Sequence, residues 1–216
     1  MTLAPSPLAP EARAAYFEQL YQHDADPWLV RQRWYEARKR ALLLACLPQA
    51  RYRNAYEPAC GNGELSVALA QRCDRLLAAD LSAQALHAAQ QRLRDEGLEH
   101  KVTLLHQRLP QDWPRTGNGA DKFDLILLSE IGYYLSPEEL AQVAEHASAS
   151  LAPGGSIALC HWRAPFAERV QSTVRVHAAF QNRPGLHCLV RHEEPDFLLG
   201  VWSNDARSVA QREGFA

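Results

Sequence analysis

The chain has 216 residues, 47% of them hydrophobic and 22% charged, a size and composition suited to one globular domain with its own core. Its 23 Lys and Arg against 25 Asp and Glu leave a formal charge of −2, which supplies neither the basic footprint of a nucleic-acid binder nor an acidic tail. No apolar run approaches the roughly 18 residues of a membrane span and the start carries no basic n-region, so a soluble, cytoplasmic protein with no nucleic-acid or membrane partner is expected. Five cysteines, an odd number without CxxC spacing, point to neither a disulfide framework nor a zinc site, and no metal is expected.

Residues 1–12 are rich in Pro and Ala and read as a disordered tail before a single domain over 13–216, with order beginning near Ala14. Residues 11–22 can form a short helix. A second is predicted over 34–47, with Trp34, Ala37, Ala41 and Leu44 on one face and Pro48 as the stop. From Asn54 onward, short apolar runs alternate with helical periodicity, the signature of βα units around a parallel sheet. Strands are predicted over 54–59, 75–79, 101–106, 123–128 and 156–160. The helices between them are capped by Ser82 and Ser136, with Pro137 at a first helical position. A helix follows around 170–180. Runs at 186–192 and 197–203, split by Glu193-Glu194-Pro195-Asp196, predict an antiparallel hairpin on the sheet edge.

The most informative stretch is Glu57-Pro58-Ala59-Cys60-Gly61-Asn62-Gly63-Glu64, a strand ending in a glycine turn that opens a helix. Gly61 and Gly63 let backbone pass close to a ligand, and the helix start offers free N–H groups. Asp80 ends the next strand, where a carboxylate can accept from both hydroxyls of a ribose, so an adenosine-containing ligand is implied. A dinucleotide would place pyrophosphate beside Glu57 and Glu64, which repel it. S-adenosylmethionine (AdoMet) brings a sulfonium and an ammonium that carboxylates attract, so the charge pattern favours AdoMet. The absence of a Gly-Lys-Ser/Thr sequence after the turn excludes a P-loop.

Asp26-Pro27-Trp28, the run 34–39, the glycine turn, Asp80-Leu81-Ser82, residues 123–126 and 129–135, Leu151-Ala152-Pro153-Gly154-Gly155, His161-Trp162-Arg163 and residues 194–197 together resemble the class I AdoMet-dependent methyltransferases, and among them the nodulation protein S group. The resemblance covers about residues 24–203. It implies a Rossmann-like α/β fold: a mostly parallel seven-stranded sheet with helices on both faces and an antiparallel C-terminal hairpin. It also implies AdoMet as cofactor and N-methylation of a small amine-bearing acceptor, such as an amino sugar or deacetylated oligosaccharide. Two departures stand out. Where relatives place an Asp after the third strand to hold the adenine amino group, this chain reads Gln107-Arg108-Leu109-Pro110, so Gln107 or backbone groups must substitute. Where relatives carry Gly-Asp before a late histidine, it reads Thr173-Val174-Arg175-Val176-His177.

Ligands of open parallel sheets sit beyond the carboxyl ends of the strands, here Asp80, His106, Ser129-Glu130 and His161. His161 is therefore a candidate general base, or else a histidine hydrogen-bonded beneath a helix, with Tyr133 and Glu130 as its catalytic neighbours. Tyr133 and Tyr134 are expected to point to different sides. Trp34 and Arg38 share a helical surface that could fold over the ligand, Arg38 pairing with the methionine carboxylate. The cofactor set is completed by Leu81, Gln107, Arg108, Leu109 and Ser129 at strand ends. O- or S-methylation of another metabolite, a nicotinamide-dependent oxidoreductase and a catalytically silent AdoMet-binding relative stay open as rivals.

Overall fold

The computed structural model describes residues 10–117 and 121–215. Helices α1 (Pro10–His23) and α2 (Trp34–Cys46) precede β1 (Tyr52–Pro58), α3 (Glu64–Ala70), β2 (Cys73–Asp80), α4 (Ala83–Asp95), β3 (Val102–His106) and β4 (Phe123–Ser129). After a 3-10 turn at Gly132–Tyr134 come α5 (Pro137–Ser150), β5 (Leu151–Trp162), α6 (Thr173–Gln181), β6 (His187–Glu193), β7 (Phe197–Ser203) and α7 (Val209–Arg212). One sheet runs in the order β3-β2-β1-β4-β5-β7-β6, with β1 to β5 parallel and β7 antiparallel to both β5 and β6. The expected mostly parallel seven-stranded sheet is therefore present. The strand order reverses between β1 and β4, where a crevice opens at the carboxyl edge.

Alternation along β4 fixes the layers. Leu125 and Leu127 face a core made with Leu43 of α2 and Leu69 and Ala70 of α3, while Ile126 and Leu128 face Val143 and Ala147 of α5 and Val176 and Phe180 of α6. Local signals set the helix starts. Ser82 accepts from the Ala85 amide, Ser136 and Glu139 form a reciprocal capping box behind Pro137, and Ser172 caps α6.

Three expectations need correction. Helix α1 begins at Pro10, inside the stretch read as a tail; residues 1–9 of that tail lie outside the described residues. Helix α2 does not bury Trp34, Ala37, Ala41 and Leu44: Ala41 is exposed and Trp34 is 77% exposed, while Lys39 and Leu43 are buried. A lysine held by two carboxylates occupies the core-facing row, and no apolar pattern announces it. Strand β5 starts five residues early, because Pro153-Gly154-Gly155 is absorbed as an irregularity between Leu151, paired with Phe123, and Ser156, paired with Leu125. The closing antiparallel hairpin lies at the sheet edge as expected; it joins through its second strand, so β7 is internal and β6 is the edge.

Candidate functional site

Strands β1, β2, β3 and β4 end around one cavity of about 320 Å³. Pro58, Ala59, Ala79, Leu81, Leu109, Ile131 and Leu135 give it apolar walls, Gln107, Arg108 and Asp112 a polar rim, and Arg13 and Ala14 of α1 a cover. The glycine turn lies beside it, with Gly61 at φ 56° and Gly63 at φ 77°, both left-handed. A Cβ on Gly61 would stand 2.5 Å from the Tyr21 hydroxyl, and one on Gly63 2.9 Å from Cβ of Ala89. The first glycine keeps room above the turn; the second packs α3 against α4. Asp80 is buried, and its oxygens accept from the Gly61 amide (2.9 Å) and the Ser82 amide (2.9 Å). Burial pushes its carboxyl pKa up, and those two amides oppose the rise. A buried carboxylate, a glycine cradle and an apolar slot fit a nucleoside whose hydroxyls donate to Asp80 while its ring lies between aliphatic walls.

The other candidates fall into place unevenly. Leu81, Gln107, Arg108 and Leu109 line the cavity. Glu57 sits behind the turn, fully enclosed, and accepts from Ser66 (2.6 Å); burial pushes its pKa up to about 8 despite that bond. Glu64 is tied to Arg40 (2.8 Å) and to Arg92. Neither carboxylate offers the free negative charge that the contrast between pyrophosphate and sulfonium assumed, so that part of the sequence argument is corrected. Arg38 is likewise engaged elsewhere, its guanidinium forking onto Glu194 at 2.7 Å through both arms. Trp34 projects into solvent, and neither it nor Ser129 lines the cavity.

Beyond the end of β4 the structure is closed by polar side chains. Glu130 stands at φ 56°, a left-handed backbone that a non-glycine residue adopts only when held there. Its carboxylate accepts from Lys39 (2.6 Å), from the Tyr133 hydroxyl (2.5 Å) and from the Trp162 amide (2.9 Å). Lys39 also meets Glu36 at 2.9 Å; burial lowers its pKa, but the two carboxylates outweigh that and keep the ammonium charged. Burial, with Glu130 beside it, holds the Tyr133 hydroxyl well above its ordinary pKa. Tyr133 and Tyr134 do not diverge as expected, since both rings pack on Phe166, at 5.0 and 5.5 Å.

His161 is corrected from candidate base to structural link. It is 0% exposed, its Nε2 accepts from the Gly132 amide (3.1 Å), and its Nδ1 lies 3.2 Å from Nε2 of His177. The nitrogen that would take a proton is already an acceptor, which leaves the other to donate to His177. Burial, reinforced by Arg169 and Lys39, pushes the His161 pKa down to about 3. Gly132 is required here because a Cβ would meet Val176 at 2.3 Å and His161 Nε2 at 3.1 Å. On α6, Val174 is 59% exposed, so the position where relatives carry an acid faces solvent.

Sequence reasoning missed the contribution of α1. Arg13 donates bidentately to Glu139 (2.8 and 3.0 Å) and to the Tyr134 carbonyl (2.7 Å), Phe17 packs on Tyr134, and Tyr21 covers Gly61. The spacing of four between 13, 17 and 21 was the available signal, hidden because its first member is a charge. Lys39 and His177 were missed too: each ends a run that the resemblance brings forward, but their partners Glu130 and His161 lie elsewhere in the chain.

With this geometry in place, comparisons with known proteins are informative. A family model described as a methyltransferase domain matches residues 55–155. A crystal structure of a Pseudomonas syringae protein assigned to the methyltransferases is 44% identical, covering 79% of this chain and 99% of that one, with a TM-score of 0.67. Nodulation protein S of Rhizobium tropici is 28% identical over 134 residues, 61% of this chain and 53% of its own length. The chain thus spans about half the length of the curated relatives it matches. The N-methyltransferase NodS of Bradyrhizobium japonicum, solved with S-adenosyl-L-homocysteine, shares the fold at a TM-score of 0.75 and 22% identity over 88% of this chain and 97% of that one. The fold and the nucleoside slot define a class I, Rossmann-like methyltransferase. The chain belongs to the AdoMet-dependent methyltransferases, and NodS is one of the proteins it is similar to.

Proposed function

We propose that the protein transfers the methyl group of AdoMet to the nitrogen of a small amine-bearing acceptor, an amino sugar being the leading case. The observation that carries the reading is the cavity at the carboxyl ends of β1 to β4, with buried Asp80 and the Gly61 turn at its side. The likeness to nodulation protein S and to a structure named an N-methyltransferase supports nitrogen as the methylated atom. The sulfonium supplies an already activated methyl group, so the chain's task is to align the amine with the methyl carbon and exclude water. As the nitrogen lone pair forms the new bond, the carbon–sulfur bond breaks, S-adenosylhomocysteine leaves, and the amine's proton passes to water. Asp80 would hold the ribose, and the apolar slot the base. The Glu130 side chain is 31% exposed, with Lys39 as its counter-ion, and stands next to Ile131 of the cavity wall, where it can orient an amine.

Because His161 cannot serve as base, the rate should rise through the acceptor's own ionisation, with no step near the ordinary histidine pKa. A small-molecule acceptor, a cytoplasmic location and a single domain over 13–216 belong to the same reading. No described helix is long and apolar enough to cross a membrane. The test pairs calorimetric titration with AdoMet, S-adenosylhomocysteine and NADH with mass-spectrometric turnover on a panel of amines, alcohols and thiols. Binding of the adenosyl ligands and a mass gain of one methyl on an amine are expected; binding of NADH alone, or methylation of oxygen or sulfur only, would overturn the reading.

A further inference from the structure

Residues 24–33, which join α1 to α2 and hold Asp26-Pro27-Trp28, line no part of the cavity. Hydrogen bonds fix the shape of this turn. Asp24 accepts from the Asp26 amide (2.8 Å), Asp26 accepts from the amides of Val30 (2.9 Å) and Arg31 (3.2 Å), and the Leu29 carbonyl accepts from those of Gln32 and Arg33 (3.1 Å each). They hold Leu29 at φ 56°, a left-handed backbone that disfavours a side chain as bulky as leucine. Trp28 anchors the turn to α1 by packing against Tyr21 and Phe17, with ring centroids 5.8 and 6.4 Å apart. Of the seven large hydrophobic side chains exposed among the described residues, three stand together here: Trp28 (39%), Leu29 (36%) and, at the start of α2, Trp34 (77%). Arg31 and Arg33 lie between them and are exposed. Among the described residues neither of these two reaches a carboxylate, whereas the next arginines along the chain do, Arg38 to Glu194 and Arg40 to Glu64.

Apolar side chains interleaved with unpaired guanidinium groups match the headgroup layer of an anionic bilayer, where indole and leucyl groups enter and arginines meet phosphates. A protein partner would cover about 800 Å² on this side of an interface, more than three partly exposed side chains offer. We propose that residues 26–34 form a lipid-contact element that docks the protein on an anionic membrane surface. The expectation of no membrane partner rested on whole-chain charge and on the lack of a spanning run, and contact with a surface depends on neither. Asn62 of the glycine turn donates to the Ala25 carbonyl (3.1 Å) and to Asp26 (3.2 Å), so a docked molecule holds its cofactor site beside the bilayer. None of this depends on the reaction catalysed.

The test mixes the full chain with vesicles of phosphatidylcholine alone or with phosphatidylglycerol added, and reads the bound fraction by cosedimentation at low and high salt. The wild type should bind the anionic vesicles about tenfold or more tightly than the neutral ones, and high salt should erase that preference, since exposed arginines act through a screened surface potential. The double variant Arg31→Ser, Arg33→Ser should lose most of the preference. Trp34→Ser should instead weaken binding to both compositions alike, by about tenfold, because its indole acts through burial and carries no charge. Phe215→Ser removes an exposed aromatic outside the element and should change neither. All three variants should melt as the wild type does. Failure of the wild type to bind anionic vesicles, equal binding to both compositions, or undiminished binding by Trp34→Ser overturns the assignment. A dimer in sedimentation velocity that Trp34→Ser dissolves, without vesicle binding, gives the element to a second copy of the chain and overturns it as well.

Discussion

The two halves of the carboxyl edge are built by opposite means. Over β1 to β3 the site is made of absence: two left-handed glycines, small walls at Ala59 and Ala79, and a cavity of about 320 Å³ between them. Over β4 and β5 it is made of pairing, with Glu130, Lys39, His161, His177 and the Arg38–Glu194 fork each meeting a partner from a distant part of the chain. The first half can receive a rigid ligand without rearranging. The second must exchange its own contacts for those of an acceptor, so shape governs cofactor choice and displaced pairs govern acceptor choice.

The widest gap between the halves should appear on filling the first. Gly61→Val puts a branched side chain where φ is 56° and Tyr21 already stands, so it should abolish S-adenosylhomocysteine binding by calorimetry in a domain that still melts cooperatively. The counterpart in the second half is Lys39→Met, which leaves Glu130 and Glu36 without their shared cation. Urea denaturation should show a loss of about 2–4 kcal/mol with cofactor affinity unchanged. A stability cost under about 1 kcal/mol would show the pairing to be ornamental. Asp80→Ala should weaken S-adenosylhomocysteine by about 1.5–3 kcal/mol, because a charged acceptor is lost. Unchanged affinity would remove the ribose from Asp80.

Acidity separates the halves more finely. Burial depresses His161 to about 3 and His177 to about 2, from an ordinary 6.5. Below pH 6.5 the unfolded chain therefore binds two protons that the folded chain refuses, and stability falls with pH. Glu57 works the other way: raised to about 8 from 4.5, it keeps a proton in the folded state that the unfolded state releases, a contribution lost as pH rises from 4.5 to 8. Between pH 5 and 6 the net is one proton, two minus one, or about 1.4 kcal/mol per pH unit. Glu57→Gln should about double that slope in denaturation curves at stepped pH. An unchanged slope would mean Glu57 is ionised in the fold. The smallest effect belongs to Arg38→Ala, where the fork onto Glu194 is partly exposed, 42% on the arginine side. Cofactor affinity should not change and the melting temperature should shift least of the set; a tenfold loss of S-adenosylhomocysteine affinity would show that the fork leaves Glu194 for the methionine carboxylate.

What the sequence allowed one to read follows the same division. The glycine turn, Asp80 and the strands of the parallel sheet were legible because short-range chemistry carries them: positive φ needs glycine, and buried parallel strands are apolar runs. The region after β4 was legible only as a list of chemically able residues. His161 has the right residue type and strand end for a base, yet Gly132, 29 residues earlier, and His177, 16 residues later, decide its role. Arg38 and Glu194 are 156 positions apart, and Lys39 and Glu130 are 91. No local pattern encodes such partnerships, and charged side chains seeking partners look in a sequence like charged side chains seeking substrate.

The internal position of β7 bears on how the molecule is made. All seven residues of Phe197–Ser203 are buried, and the strand bonds β5 on one side and β6 on the other. Until residues 197–203 have left the ribosome, β5 presents an open apolar edge from Ser156 to Trp162, and β6 has no sheet to join. The residues that line the nucleoside slot fall between Arg13 and Leu135, whereas the sheet beneath it is sealed last. A chain stalled before β7 would present the β5 edge as a template for strand addition, so the last stretch of synthesis is the one most exposed to misassembly.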